Sequence, residues 1–305
     1  MRSSTRILII GFGDIGERVA RRLAGHYSVS ALVRSAARAR VARSLGVHAI
    51  RGDLGHPASL HRLAGQADVV LHFAPPPGDG VRDTHTRHLL AALAGPTMGQ
   101  STRAGMLPQH LPGRLVYIST TGVYGDCSGE RIDETRPLRP ATARARRRVD
   151  AERMLRAWGR RLGVKVSILR APGIYADDRL PVERLRKGTP ALIAEDDVFT
   201  NHIHAEDLAR AVIAAMRRGR PGRVYNVVDD SALPMADYFD CVARAFGLPR
   251  PPRISRAEAA ARISPALMSF MSESRRIGNT RLKRELRFSL SFPTVEGFLE
   301  EMKRG

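Results

Sequence analysis

The sequence predicts an α/β fold: a doubly wound parallel sheet with helices on both faces and a small, mainly helical C-terminal cap. Three observations predict it. Through the first two-thirds of the 305 residues, short apolar runs alternate with amphipathic stretches, the pattern of βα units feeding a parallel sheet. The first apolar run leads directly into a turn built on Gly11, Gly13 and Gly16. The last third breaks the alternation and reads as helices joined by the stiff connector Leu248-Pro249-Arg250-Pro251-Pro252.

Taken in order, Arg6 to Ile10 is the first strand, and a helix follows it through Arg22. Ser28 to Val33, Val47 to Arg51 and Asp68 to Phe73 are the next three strands. A helix from Thr84 to Leu93 leads, through a Gly-, Pro- and polar-rich loop from Gly95 to Gly113, into the strand Leu115 to Ser119. A long helix from Arg144 to Arg161 precedes the strand Val166 to Leu169, and Val224 to Val228 is a further buried strand. Met235 to Phe246, Arg256 to Phe270 and Asn279 to Leu286 read as helices. Residues 1–175 plus 200–230 then form the sheet domain, and residues 176–199 plus 231–305 form the cap, set over the carboxyl ends of the strands where open α/β sheets bind ligands.

Composition narrows the function. No stretch approaches the ~20 apolar residues that span a bilayer, and the N-terminus is too short for a signal n-region, so the expectation is a cytoplasmic protein. Cys127 and Cys241 are too few for a disulfide framework or a zinc site. The net charge of +20 invites a nucleic-acid reading, but arginines are scattered through nearly every segment. The densest run, Arg144 to Arg148, has no interleaved aromatics to stack on bases. Such a charge implies attraction to polyanions at low salt and no specific nucleic-acid partner.

The run Gly11-Phe12-Gly13-Asp14-Ile15-Gly16 places GxGxxG behind a strand and ahead of a helix. The first glycine permits a tight turn, the second lets backbone approach a pyrophosphate, and the third lets the helix pack closely with its N–H groups facing the phosphates. In that context it is a dinucleotide-binding signature of the Rossmann type. The acidic residue that binds a ribose 2′-OH is missing at the end of the second strand, where Leu32-Val33-Arg34-Ser35 stands, with Arg38 and Arg40 behind. A guanidinium there favours a 2′-phosphate, hence NADP over NAD. Asp53 and Leu54 after the third strand are placed for adenine, and Phe73, Ala74 and Pro75 after the fourth for the ribose side.

These motifs, with Ile118-Ser119-Thr120-Thr121-Gly122-Val123-Tyr124-Gly125, Leu169-Arg170-Ala171-Pro172-Gly173-Ile174-Tyr175 and Asn201 to Ala209, make the chain resemble the extended short-chain dehydrogenase/reductases, the epimerase/dehydratase group, from Ile7 to Phe298. Ser274 to Asn279 looks like the atypical branch of that group. The resemblance implies an oxidoreductase or epimerase acting on a small carbonyl or hydroxyl compound. It assigns Thr120, beside Ser119, to orient the substrate oxygen, Pro172, Gly173 and Ile174 to the cofactor, and a long helix of the Arg144–Arg161 kind to homodimer formation. Members that dehydrate nucleotide sugars carry Asp-Glu directly after the threonine; Thr121 and Gly122 stand there, which argues against that reaction.

The sharpest departure is at the acid/base pair. The family's Tyr-x-x-x-Lys, followed four residues later by a glutamate, maps onto Arg144, Arg148 and Glu152. Arginine does not give up a proton near neutral pH, so Arg144 is no substitute for a phenol, although Arg148 can still donate to a nicotinamide ribose. Three readings stay open: another acid/base (Tyr124, Tyr175 or His202), a catalytically silent NADP-binding sensor or interaction protein, or an unusual reaction in which the arginines hold an anionic substrate. His202 and His204, with Glu206 and Asp207, lack a third ligand at metal-site spacing, so no metal is expected. Ser119 lies in no Gly-x-Ser-x-Gly elbow, so a hydrolase triad is not indicated.

Overall fold

A computed structural model describes residues 5–95, 110–269 and 271–304. Most of the expected Gly95–Gly113 loop lies outside the described residues. The strands β1 (Arg6–Ile10), β2 (Ser28–Val33), β3 (His48–Arg51), β4 (Val69–His72), β5 (Arg114–Thr120), β6 (Lys165–Ala171) and β7 (Arg223–Asn226) form one sheet. Their spatial order is β7-β6-β5-β4-β1-β2-β3, and every pairing is parallel. The chain winds outward from β1 to β3, then returns to the other side of β1 as β4, which makes β1/β4 the topological switch point.

Side-chain alternation along β1 divides the core. Ile7 and Ile9 pack with α1 (Asp14–Leu23), α2 (Ala36–Ser44) and the later helix Ala205–Arg218. Leu8 and Ile10 face the opposite way, onto Leu89, Leu90 and Leu93 of α3 (Thr84–Ala94) and Ala151, Leu155 and Trp158 of α4 (Ala143–Leu162). Strands buried on both faces explain why β1 reads as an unbroken apolar run. The helix α2 went unread in the sequence because three of its nine residues are arginine and only Ala39 and Ala42 are buried.

After β6 the chain leaves the sheet. The short helix α5 (Val182–Arg186) precedes α6 (Ala205–Arg218), which returns to the sheet layer. The cap has its own core, with Leu185, Leu192, Phe239, Val242, Ile254, Met271 and Phe298 drawn from α5, α7 (Met235–Ala245), α11 (Val295–Arg304) and the segments between. The expected helix Arg256 to Phe270 is broken into α8 (Arg256–Arg262) and α9 (Pro265–Met268). The cause is local: Pro265 has no N–H to continue a helix and drives the residue before it out of the α region. The shorter α10 (Thr280–Glu285) follows the expected position, and Leu282, Leu286 and Phe288 pack onto the sheet layer rather than into the cap core. Three two-stranded parallel pairings, 173–175 with 202–204, 191–192 with 253–254 and 131–132 with 276–277, tie these segments together. Among the described residues no helix is long and apolar enough to cross a membrane.

Candidate functional site

The turn between β1 and α1 uses its three glycines differently. Gly11 has φ +97°, and a Cβ on it would stand 2.4 Å from the backbone nitrogen of Ala74. A Cβ on Gly16 would lie 2.7 Å from the Gly11 carbonyl oxygen, so that glycine allows α1 to pack against the turn. Gly13 has open space where its Cβ would be. Gly13 is also the N-cap of α1 and brings no side chain to the helix's first N–H groups, so those donors remain for a ligand.

A cleft of about 810 Å³ opens over this turn. Gly11 to Gly16, Arg34, Ser35, Asp53, Leu54, Phe73, Ala74, Pro75, Arg148 and Ile174 all line it, contributed mainly by the carboxyl ends of β1 to β4. The two arginines behind β2 diverge. Arg38 donates to the Phe12 carbonyl, pairs with Glu17 and covers the Phe12 ring at 5.6 Å, so it is a strut of the loop. Arg34 is exposed at the rim and has no ion-pair partner among the described residues. Two lining residues lie in no motif read from the sequence: His85 and Arg179, the latter reaching from the segment after Tyr175 to Asp14 at 3.3 Å. A long-range ion pair leaves no mark in local pattern, so no sequence signal pointed to Arg179.

A second cavity, about 330 Å³, holds Thr120, Pro172 and Gly173 together with Arg144, Arg148 and Arg275. Arg148 lines both spaces. Thr142 caps α4 by accepting from the Ala145 N–H at 3.1 Å, which sets Arg144 and Arg148 one turn apart on one face. Arg148 donates to the Tyr117 hydroxyl at 2.9 Å and the Ile118 carbonyl at 2.8 Å. Glu152, one turn further, is buried and grips Arg170 through two bonds of 3.0 and 2.7 Å, a structural pair beneath the site.

The other expected participants lie elsewhere. Ser119 is buried and lines neither cavity. Tyr124, Tyr175 and His202 are also buried and also line neither. Tyr124 donates to the Asn226 side chain at 2.7 Å beneath the Arg170 guanidinium, and burial raises its pKa. Tyr175 packs against His204 and Phe298, its pKa raised by burial and by Asp229. His202 stacks on Tyr238 at 4.1 Å, and burial lowers its pKa to about 3. Apolar neighbours had claimed all three as core. Among the described residues no three His, Cys, Asp or Glu side chains gather where a metal ion could sit.

A model of the NAD dependent epimerase/dehydratase family matches residues 7–228. The chain belongs to that family. Among curated relatives in it, a dTDP-glucose 4,6-dehydratase of Streptomyces antibioticus is 23% identical over 211 residues, 65% of this chain and 61% of the relative. That of Mycolicibacterium smegmatis is 27% identical over 200 residues, 59% of this chain and 56% of the relative. The chain thus spans about three-fifths of the length of the curated relatives it matches. A functionally unknown conserved protein from Silicibacter pomeroyi superposes over 99% of both chains with TM-score 0.77 and 29% identity. A UDP-glucuronic acid 4-epimerase from Bacillus cereus, solved with NAD, has TM-score 0.72 at 17% identity over 97% of this chain and 96% of that one, a likeness of fold.

Proposed function

We propose that this epimerase/dehydratase-family member is an NADP(H)-dependent oxidoreductase or epimerase of small carbonyl or hydroxyl compounds. The observation that carries the reading is that Arg148 borders both the glycine-floored cleft and the smaller cavity. The cleft's size, the open face of Gly13 and the bare N-terminus of α1 fit a dinucleotide. When bound, that group supplies a hydride donor or acceptor at its nicotinamide.

In this reading the glycine turn holds the pyrophosphate and Arg34 takes the 2′-phosphate. Asp53 and Leu54 border the adenine, and Phe73 to Pro75 the ribose. Arg148 donates to the nicotinamide ribose, and Pro172, Gly173 and Ile174 back the ring. Thr120 orients the substrate oxygen. Arg144 and Arg148, standing where the family resemblance places tyrosine and lysine, stabilise negative charge on that oxygen without exchanging a proton with it. Water therefore supplies the proton when a carbonyl is reduced and takes it up when a hydroxyl is oxidised. Thr121 and Gly122, in place of an Asp-Glu pair, set the reaction apart from nucleotide-sugar dehydration.

Isothermal titration with NADPH and NADH in moderate salt tests the cofactor. Charge-assisted bonds of about 1.5–3 kcal/mol make Arg34→Ala cost roughly tenfold to a hundredfold in NADPH affinity, with NADH unaffected. Equal binding of both nucleotides, unchanged in the variant, overturns the NADP assignment. Binding of neither favours the silent interaction protein.

A further inference from the structure

We propose that the cavity beside Arg148 is an anion site, so that the substrate is a small organic acid, a carboxylate or a phosphate ester. This rests on the cavity being the substrate end of the cleft. Three guanidiniums line it: Arg144 and Arg148 from α4, and Arg275 from the segment ahead of α10. Glu273, the one carboxylate among the described residues lining it, is paired to Arg275 at 2.7 Å, so positive charge remains in excess.

The placement runs against helix physics. The N-terminal end of a helix carries partial positive charge, and acidic side chains are favoured there. The first turn of this twenty-residue helix has no acidic residue and begins an arginine run instead. Arg146 is exposed and reaches toward the Pro140 carbonyl at 3.5 Å, and Arg147 is buried on the Gly80 carbonyl at 2.5 Å. Arg144 and Arg148 share the cavity with Thr142 and Ala145 of the same helix start. A bound anion meets both guanidiniums and the helix terminus, which relieves the conflict.

Arg275 comes from the other side and is held ready. Asn201 accepts from the Ile277 N–H at 3.0 Å and donates to the Arg275 carbonyl at 2.9 Å, fixing the backbone. The guanidinium donates to the Gly125 carbonyl at 2.8 Å, and its Nε–H, shielded from solvent, has no partner among the described residues. At about 330 Å³ the space is at the small end of ligand pockets, which run from roughly 300 to 1,000 Å³. A small acid fills it, with Thr120 in the same lining to meet a neighbouring oxygen.

The test is calorimetric titration of malonate, inorganic phosphate and neutral malonamide at constant ionic strength, with and without NADPH. One of the two anions binds, malonamide does not, and the stronger anion tells a carboxylate from a phosphate substrate. Arg144→Gln and Arg275→Lys each weaken that binding by roughly tenfold or more, since the lysine keeps the charge but not the fork. Arg144 is exposed, so its variant folds even if the Arg275 variant does not, and Arg146→Gln is the neighbouring control. Binding of neither anion, equal binding of malonamide, or equal loss in the Arg146 variant overturns the proposal. Absent NADPH binding sinks the cofactor reading alone, because the dinucleotide-free titrations judge the anion site independently.

Discussion

Buried titratable residues outside the site set the protein's response to pH. Burial pushes the Asp229 carboxyl up to about 8 from 3.8, while it pulls His72 and His202 down to about 3 from 6.5. The folded chain holds the Asp229 proton that the unfolded chain releases, so this residue draws stability down as pH rises from about 3.8 to about 8. The histidines act oppositely: below 6.5 the unfolded chain takes up protons that the folded chain refuses, and stability falls as pH falls. The two effects oppose each other where their ranges overlap, and between about 6.5 and about 8 the Asp229 contribution still falls with pH while those of the two histidines are complete. Thermal melts of Asp229→Asn should lose the upper decline; a variant that declines as the parent does refutes the assignment. Arg34 and Arg38 carry a related lesson. Both were legible as arginines behind β2, but only packing made Arg38 a strut on Phe12 and Glu17 and left Arg34 at the rim.

At the level of the element, the glycine turn separates folding from binding. Gly13 has φ −100° and ψ −160°, an ordinary extended conformation, with open space around a would-be Cβ. Gly13→Ala should leave stability unchanged or raise it by about 0.4–1 kcal/mol, while its methyl blocks the phosphate approach and cuts dinucleotide affinity. Gly11→Ala meets a positive φ and the backbone of Ala74, so it should lose at least about 1–3 kcal/mol of stability. Melting and nucleotide titration on the two variants read both effects; weak binding caused by unfolding in Gly13→Ala would refute the distinction. Strands and the long helices were readable because period and length are local. The split of α8 from α9 had its signal in Pro265, which the apolar pattern around it obscured.

Across the whole molecule, the net charge of +20 is dispersed along the chain, and some arginines are tied up in ion pairs. Arg170 pairs with Glu152, Arg223 with Glu285 and Arg253 with Asp240. Such a surface attracts polyanions without reading them. Retention on heparin at about 0.01 M salt and release by about 0.15 M is expected, as the screening length shrinks from about 30 to about 8 Å. Retention that persists well above that range points instead to a concentrated basic face.

By itself the sequence determined the doubly wound sheet, the glycine turn and the family, because period, spacing and residue chemistry are written along the chain. Tertiary structure alone decided which polar groups face open space. Tyr124, Tyr175 and His202 read as acid/base candidates in one dimension, yet packing buries each, whereas Arg179 and Arg275 are brought to the cavities by contacts across the fold. Burial belongs to the three-dimensional neighbourhood, which no run of neighbouring residues records: a phenol or imidazole is desolvated by groups distant in sequence, and an arginine is drawn to a cleft wall by partners equally distant.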